Sequence, residues 1–269
     1  PAALHLMRLG YTYLPHNGKI LNERDPETNI LVSVFRDQFL KFNNYATDED
    51  VDRELSNIKL ELDQNDLGRS FFKRLQGQEN TVYIDWENPE ANTFHLALEV
   101  TCHNGQDEFR PDVVVFINGL PLSYIEVKQP NAIRDGKTGI QSEQDRTRYR
   151  FENRKFRRFN NITQLIALSD NLPYINGQGQ QKQGSYYGSN AYSKTKFNAF
   201  KEERVEDFLH SLSPLTEDQI DFVLEDMKRF ALKSQPEFTT NLNPDTPCNA
   251  FLSSLYQKER LLFMLRFGL

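Results

Sequence analysis

The chain has 269 residues, 38 % of them apolar, and a net charge of −6. That length allows a large core and one or two domains, and the acidic balance by itself points to no nucleic-acid partner. Two cysteines, Cys102 and Cys248, make no disulfide framework and fit a reducing cytoplasm, and no apolar run has transmembrane length, so no membrane partner is expected.

In chain order, the first strong periodicity runs from Thr28 to Phe42. Ile30, Val34 and Leu31, Phe35 recur at helical spacing, as do Phe39 and Phe42, and Asn43-Asn44 ends the pattern. Asp48 to Leu75 reads as a second, more polar helical region. Thr81 to Glu87 and Thr93 to Cys102 read as strands, and Trp86 is expected to pack. Cys102-His103 has no second ligand pair at zinc spacing, so a zinc site is not expected.

Arg110 to Gln129, RPDVVVFINGLPLSYIEVKQ, reads as two apolar strands joined by an Asn-Gly turn. Val113 to Ile117 is apolar throughout, so this strand is covered on both faces. Asp112, Glu126 and Lys128 are charged residues in that apolar setting, where charges are rare without a use. Side chains alternate along a strand, so Tyr124, Glu126 and Lys128 share one face. A plain two-residue Asn118-Gly119 loop pairs Asp112 with Ile125 and turns Glu126 away. An odd-length loop, or a bulge near Pro121, restores the match, with Gly119 at positive φ. Two facing carboxylates repel and call for a cation. All-oxygen ligands suit Mg²⁺ or Mn²⁺ rather than zinc, with the Val127 carbonyl as an extra ligand. The ion would acidify a water and stabilise charge on a phosphate. Lys128 would orient that water or neutralise the transition state.

Past Lys128 the charge changes character. Arg134 to Arg158 holds nine Lys/Arg against four acids, interleaved with Tyr and Phe. Such a segment beside an acidic metal site suits a DNA backbone, and equally a solvated helix face with ion pairs. Arg110, Arg146, Arg148, Arg150, Arg154 and Lys155 are the candidate DNA-binding residues. Gly136-Lys137-Thr138 imitates the end of a phosphate loop, but Asn131 stands where its leading glycine belongs, which excludes an ATP site there. Asn161 to Ser169 reads as a buried strand closing the sheet. Asn176 to Lys196, rich in Gly, Gln, Ser and Tyr, reads as a loop. From Lys201 the chain turns helical. Thr216 to Gln219 is a capping box opening a helix with Ile220, Val223, Leu224, Met227 and Ala231 on its core face. Thr246-Pro247 starts a final helix. Pro1 opens without a methionine and the other end stops inside the apolar run Leu261 to Leu269, so the chain reads as an N-terminal fragment.

RPDVVVFINGLPLSYIEVKQP resembles the nuclease motif of the R (restriction) subunit of type I restriction–modification enzymes, within the PD-(D/E)xK superfamily. Leu9-Gly10-Tyr11, Phe42-Asn43, Ile84-Asp85 with Asn88-Pro89, Asn92, Phe94 and NITQLIALSDN extend the resemblance over residues 9 to 200. It implies an α/β fold: a restriction-endonuclease-like core with a central mixed β-sheet flanked by helices, plus a C-terminal helical part. The division expected is an endonuclease domain over 1–200 and a helical linker over 201–269, leading to an absent ATP-dependent motor. The resemblance also implies cleavage of double-stranded DNA with Mg²⁺ at Asp112, Glu126 and Lys128. It implies ATP use by the full-length protein alone, and specificity and modification subunits as partners. Related nucleases place an acid on the first core helix, for which Glu27 is the candidate. The family carries a glutamine, three residues, then a tyrosine on the helix after the hairpin. Here Gln144 meets Arg148 at that spacing. Tyr149 falls one place late, about 140° away from Gln144 on a regular helix. Gln144 is the candidate supporting residue and Gln141 the second. Two other readings stand beside an active endonuclease: a catalytically poor DNA- or partner-docking module on a nuclease fold, and a stand-alone repair nuclease.

Overall fold

The computed structural model describes residues 2–77, 81–104, 107–129, 133–134, 136–169, 174–175, 181–182, 186–189 and 213–234. Its centre is a mixed six-stranded sheet. The strands are β1 (Thr12–Tyr13), β2 (Phe94–Leu98), β5 (Val113–Ile117), β6 (Leu120–Val127), β9 (Leu165–Ser169) and β12 (Tyr186–Ser189), lying side by side in that order. β1 runs parallel to β2, and β6 parallel to β9; the other neighbours are antiparallel. Among the described residues, three two-stranded hairpins lie outside the sheet: β3 (Cys102–Asn104) with β4 (Asp107–Phe109), β7 (Ile133–Arg134) with β8 (Lys137–Thr138), and β10 (Tyr174–Ile175) with β11 (Gln181–Lys182).

Helices cover both faces. α3 (Val32–Phe42), α4 (Asp48–Leu62), α5 (Arg69–Leu75) and α7 (Arg157–Ile162) follow on one side. Their apolar residues meet Leu120, Leu122, Val114, Phe116 and Tyr124 in two adjoining cores. α6 (Gly139–Glu152) lies with them through Ile140 and Phe151. The other face is covered by α1 (Ala2–Arg8) and by Val223 of α8 (Glu217–Ser234), against Leu96, Leu98, Val113 and Ile125. α2 (Lys19–Asn22) is a single short turn. The architecture is the α/β restriction-endonuclease-like core with a helical C-terminal part that the sequence implied. Among the described residues, no helix is long and apolar enough to cross a membrane.

Several elements differ from expectation. The helix placed from Thr28 begins at Val32, because Asp25 gathers the Glu27 and Thr28 amides and Asn29 turns to φ 59. The Asp48–Leu75 region splits into α4 and α5 at Gly68, whose φ is 79. Thr81 to Glu87 is not a strand. Tyr83 and Ile84 are buried, but Asp85 closes a turn by accepting from the Glu87 and Asn88 amides. Trp86 is 61 % exposed rather than packed, with its ring nitrogen donating to the Leu75 carbonyl. The strand read over Thr93 to Cys102 ends at Leu98, where Glu99 takes φ 49. Asn161 and Ile162 end α7 instead of opening β9; the Asn161 amide donates to the carbonyls of Leu62 and Gln64. Asn176 to Lys196, read as a loop, contains β11 and β12, and its remainder lies outside the described residues. The Thr216–Gln219 capping box forms, with the two side chains and backbone amides exchanging bonds. Of the expected core face of α8, Val223 is buried while Met227 is 38 % exposed. Ala231's side chain, the Thr246-Pro247 helix start and Cys248 lie outside what is described.

The hairpin is braced by asparagines. Asn118, at φ 52, and Gly119, at φ 81, form the tight turn between Ile117 and Leu120. The Asn118 side chain is 1 % exposed. Its amide donates to the Tyr83 carbonyl and to Asn92 Oδ1, and its Oδ1 accepts from the Thr93 amide. Asn92 in turn bonds both backbone groups of Asp85. The Gly119 carbonyl accepts from Leu31 N–H at 2.9 Å. The asparagines thus replace sheet bonds that a buried turn would otherwise lack.

Candidate active site

The register of β5 and β6 decides which side chains meet. Ile117 pairs with Leu120 and Phe116 with Pro121; the next pair is Val115 with Ser123, leaving Leu122 as an extra residue. This is a β-bulge beside Pro121. Val113 then faces Ile125, so Asp112 falls opposite Glu126. Tyr124 and Val114 share the side that Glu126 occupies, and Ile125 and Val113 face the other core. The loop keeps two residues and the bulge restores the match, with Gly119 at positive φ as expected.

The two acids are held differently. Asp112 Oδ2 accepts from Val127 N–H at 2.6 Å. Glu126 is 4 % exposed; its Oε2 accepts from Lys128 Nζ at 2.8 Å, while its Oε1 is buried with no partner. Burial, and then the neighbouring Asp112 charge, push the Glu126 carboxyl up to about 7. Burial also raises Asp112, against the Val127 hydrogen bond. Burial works against the Lys128 charge, but Glu126, Glu143 and Asp112 outweigh it and raise its pKa.

α6 closes the site from above. Its first residue, Gly139, lies where a Cβ would come 2.9 Å from Lys128 Cβ, so glycine lets the helix press onto this lysine. One turn on, Glu143 reaches down with its side chain 1 % exposed. Its Oε2 lies 3.1 Å from Lys128 Nζ and 3.4 Å from Arg146, and its Oε1 accepts from Arg150 at 2.7 Å. Lys128 and Arg150 outweigh burial and hold Glu143 below the usual carboxylate range. The Arg150 guanidinium stacks on the Phe109 ring, 3.6 Å from its centre.

Together these residues line a cleft of about 420 Å³, with Arg110, Arg146 and Tyr149 also on its wall. Of the candidate DNA-binding residues, Arg110, Arg146 and Arg150 reach the cleft; Arg148, Arg154 and Lys155 do not line it. Arg148 instead approaches Asp145 at 4.0 Å. Gln144 does not line the cleft, and Gln141 caps α6 by accepting from Thr138 N–H. Glu27 is not at the site either; it pairs with Lys59 and Arg158.

Among the described residues, no group of three or more His, Cys, Asp and Glu forms a metal-binding cluster. A hard divalent cation still fits what is present. The donors are two facing carboxylates, one with an orphaned buried oxygen, and octahedral Mg²⁺ completes its shell with water.

A restriction-endonuclease-like core with two opposed acids and a lysine at the end of its central hairpin defines the class. The chain belongs to the family described as type I restriction enzyme R protein N terminus, which it matches over residues 1–183. It is 26 % identical over 194 residues to the putative type I restriction enzyme MjaIXP endonuclease subunit of Methanocaldococcus jannaschii, covering 64 % of this chain and 18 % of that protein. It is 28 % identical over 162 residues to the putative MjaVIIIP endonuclease subunit of the same organism, covering 58 % of this chain and 15 % of that one. The matched part thus spans less than a fifth of either relative.

Proposed function

We propose that this chain is the Mg²⁺-dependent endonuclease region of a type I restriction enzyme R subunit, hydrolysing phosphodiester bonds of unmodified double-stranded DNA. The observation that carries the reading is Asp112 opposite Glu126, with Lys128 beside them, in a cleft walled by arginines. Asp112, Glu126 and the Val127 carbonyl would hold the cation, and Mn²⁺ would serve in its place. When bound, the ion supplies a more acidic water and offsets charge on the phosphate. Lys128 keeps its proton and presents a fixed positive charge to the scissile group. Arg110, Arg146 and Arg150 draw the DNA backbone toward the acids. In the same reading ATP is used by a motor elsewhere in a longer chain. Specificity and modification subunits choose the target, and the setting is the cytoplasm.

Calorimetry with Mg²⁺ and Mn²⁺ tests this on the wild type, Asp112→Ala and Lys128→Ala. Binding lost with Asp112→Ala and kept with Lys128→Ala supports the assigned roles. Equal heats, or none, in all three overturn the metal site. The alternative, a docking module on a nuclease fold, would then lead; the absence of Gln144 from the cleft is the observation in its favour.

A further inference from the structure

Glu143 has no place in the metal set proposed above, yet it is the most deeply buried charge among the ionic contacts of the cleft. We infer that Glu143 is a positioning residue: it holds the Lys128 ammonium between two carboxylates, so that Lys128 faces the cleft and Glu126 keeps one oxygen free for a cation. The inference rests on the nuclease reading.

A lysine ammonium is a compact charge on a flexible stem with three donors. Here it sits 2.8 Å from Glu126 and 3.1 Å from Glu143, shared almost evenly. Asp112 spends its Oδ2 on the Val127 amide and has no ion pair with this lysine. Without Glu143, Glu126 would be the one carboxylate among the described residues within ion-pair distance of Lys128. The ammonium would then settle on Glu126 and compete with the cation for it. Glu143 itself cannot follow the lysine. Arg150 holds its other oxygen at 2.7 Å, and the Arg150 guanidinium carbon lies over the Phe109 ring, 3.6 Å from its centre. Phe109, Arg150, Glu143, Lys128 and Glu126 therefore form one chain of fixed contacts. Arg150 also neutralises Glu143, so the pair adds no net negative charge beside the two acids.

The test is single-turnover cleavage of supercoiled DNA by the full-length chain in its restriction complex, with Mg²⁺ or Mn²⁺ varied. Supporting partners of metal-site groups usually contribute about 10- to 100-fold in affinity or activity, so Glu143→Gln should slow cleavage by that much. It should also raise the metal concentration needed for half the maximal rate. The distinguishing measurement is Mn²⁺ calorimetry, a readout apart from cleavage, on Glu143→Gln, which should bind the ion more weakly, and on the double variant with Lys128→Met, whose metal ligands are intact. If Glu143 acts through the lysine, Glu143→Gln adds nothing once Lys128 is gone. Effects that multiply, or Glu143→Gln cleaving like the wild type while Asp112→Ala is inactive, overturn the inference and leave the nuclease reading standing. Asp112→Ala cleaving like the wild type removes both. If Glu143→Gln does not fold, judged by thermal unfolding, Glu143→Asp replaces it in the same cycle. Shortening that side chain by one carbon should give the same non-additivity in weaker form, and additive effects again overturn the inference.

Discussion

Asp112 accepts a hydrogen bond from the main-chain amide of Val127 at 2.6 Å, so one acid of the site is tied to the strand that carries the other. The bond fixes the spacing of two carboxylates that burial and mutual repulsion both disfavour. Asp112→Asn keeps an oxygen for the amide and drops the charge. It should therefore raise the urea midpoint of the metal-free protein while abolishing Mg²⁺ and Mn²⁺ heats. Asp112→Ala loses the bond as well, at about 1 kcal/mol. A midpoint for Asp112→Asn below the wild type would show that repulsion is not what the site stores.

Gly119 should tolerate no side chain. Its φ of 81 is left-handed, and an added Cβ would stand 2.7 Å from the Leu31 carbonyl oxygen and 2.7 Å from the Phe35 nitrogen, both backbone atoms at the start of α3. Gly119→Ala should cost more than about 2 kcal/mol, combining backbone strain with a shift of α3. Denaturant unfolding reads this directly, and a cost below about 0.5 kcal/mol, as at an ordinary surface position, would contradict it.

The arginines should divide by what they already hold. Arg146 lines the cleft with its side chain 61 % exposed, and its contact to Glu143 is 3.4 Å. Arg158 is occupied by Asp63 and Glu27. Arg146→Ala should weaken DNA binding and reduce the slope of log K against log salt by about 1. Arg158→Ala should leave that slope alone and cost about 0.5–1 kcal/mol of stability. Fluorescence anisotropy across a salt series separates the two.

Asp226 on α8 is 7 % exposed and accepts from Tyr13 Oη at 2.5 Å and His16 N–H at 3.1 Å, with the His16 ring at 2.9 Å. Burial raises its pKa, but the bonds from Tyr13 and His16 outweigh this and leave it lowered. A carboxyl whose folded pKa lies below its unfolded one stabilises the fold above the unfolded value, about 3.9. That contribution fades as pH falls through the folded value. Asp226→Asn should therefore be less stable than the wild type by about 1.5–3 kcal/mol at pH 5. The gap should narrow below about pH 4. Thermal melts at pH 5, 4 and 3 measure it, and a gap that widens in acid would refute the assignment.

The hairpin was legible because its constraints are local. An Asn-Gly turn, an apolar strand and the need for Asp112 to meet Glu126 leave few registers. Glu143 was not legible. In sequence it is one acid among the arginines of a polar helix, where an exposed ion pair is the ordinary reading. Its burial comes from the pressing of α6 onto the sheet, and the local hint was Gly139-Ile140 ahead of it with Thr147 and Arg150 on its face. The same limit explains Tyr83 and Ile84, buried residues read as a strand, and Asn161, whose partners on α4 and beyond lie 97 and 99 residues away. For Gln144 the geometry is simpler: α6 turns Glu143, Arg146, Tyr149 and Arg150 to the cleft, and Gln144 is not among the residues that line it.

The extra residue Leu122 fills an apolar pocket and is 7 % exposed. A chain lacking it would close the same tight turn into a regular ladder, and Asp112 would still stand across from Glu126. Homologues can therefore differ by one residue in the gap between their acids and share one geometry. A search pattern that fixes this gap would pass over a chain of the shorter kind. What selection can see is the side of the sheet on which the second acid emerges, and two different lengths deliver it.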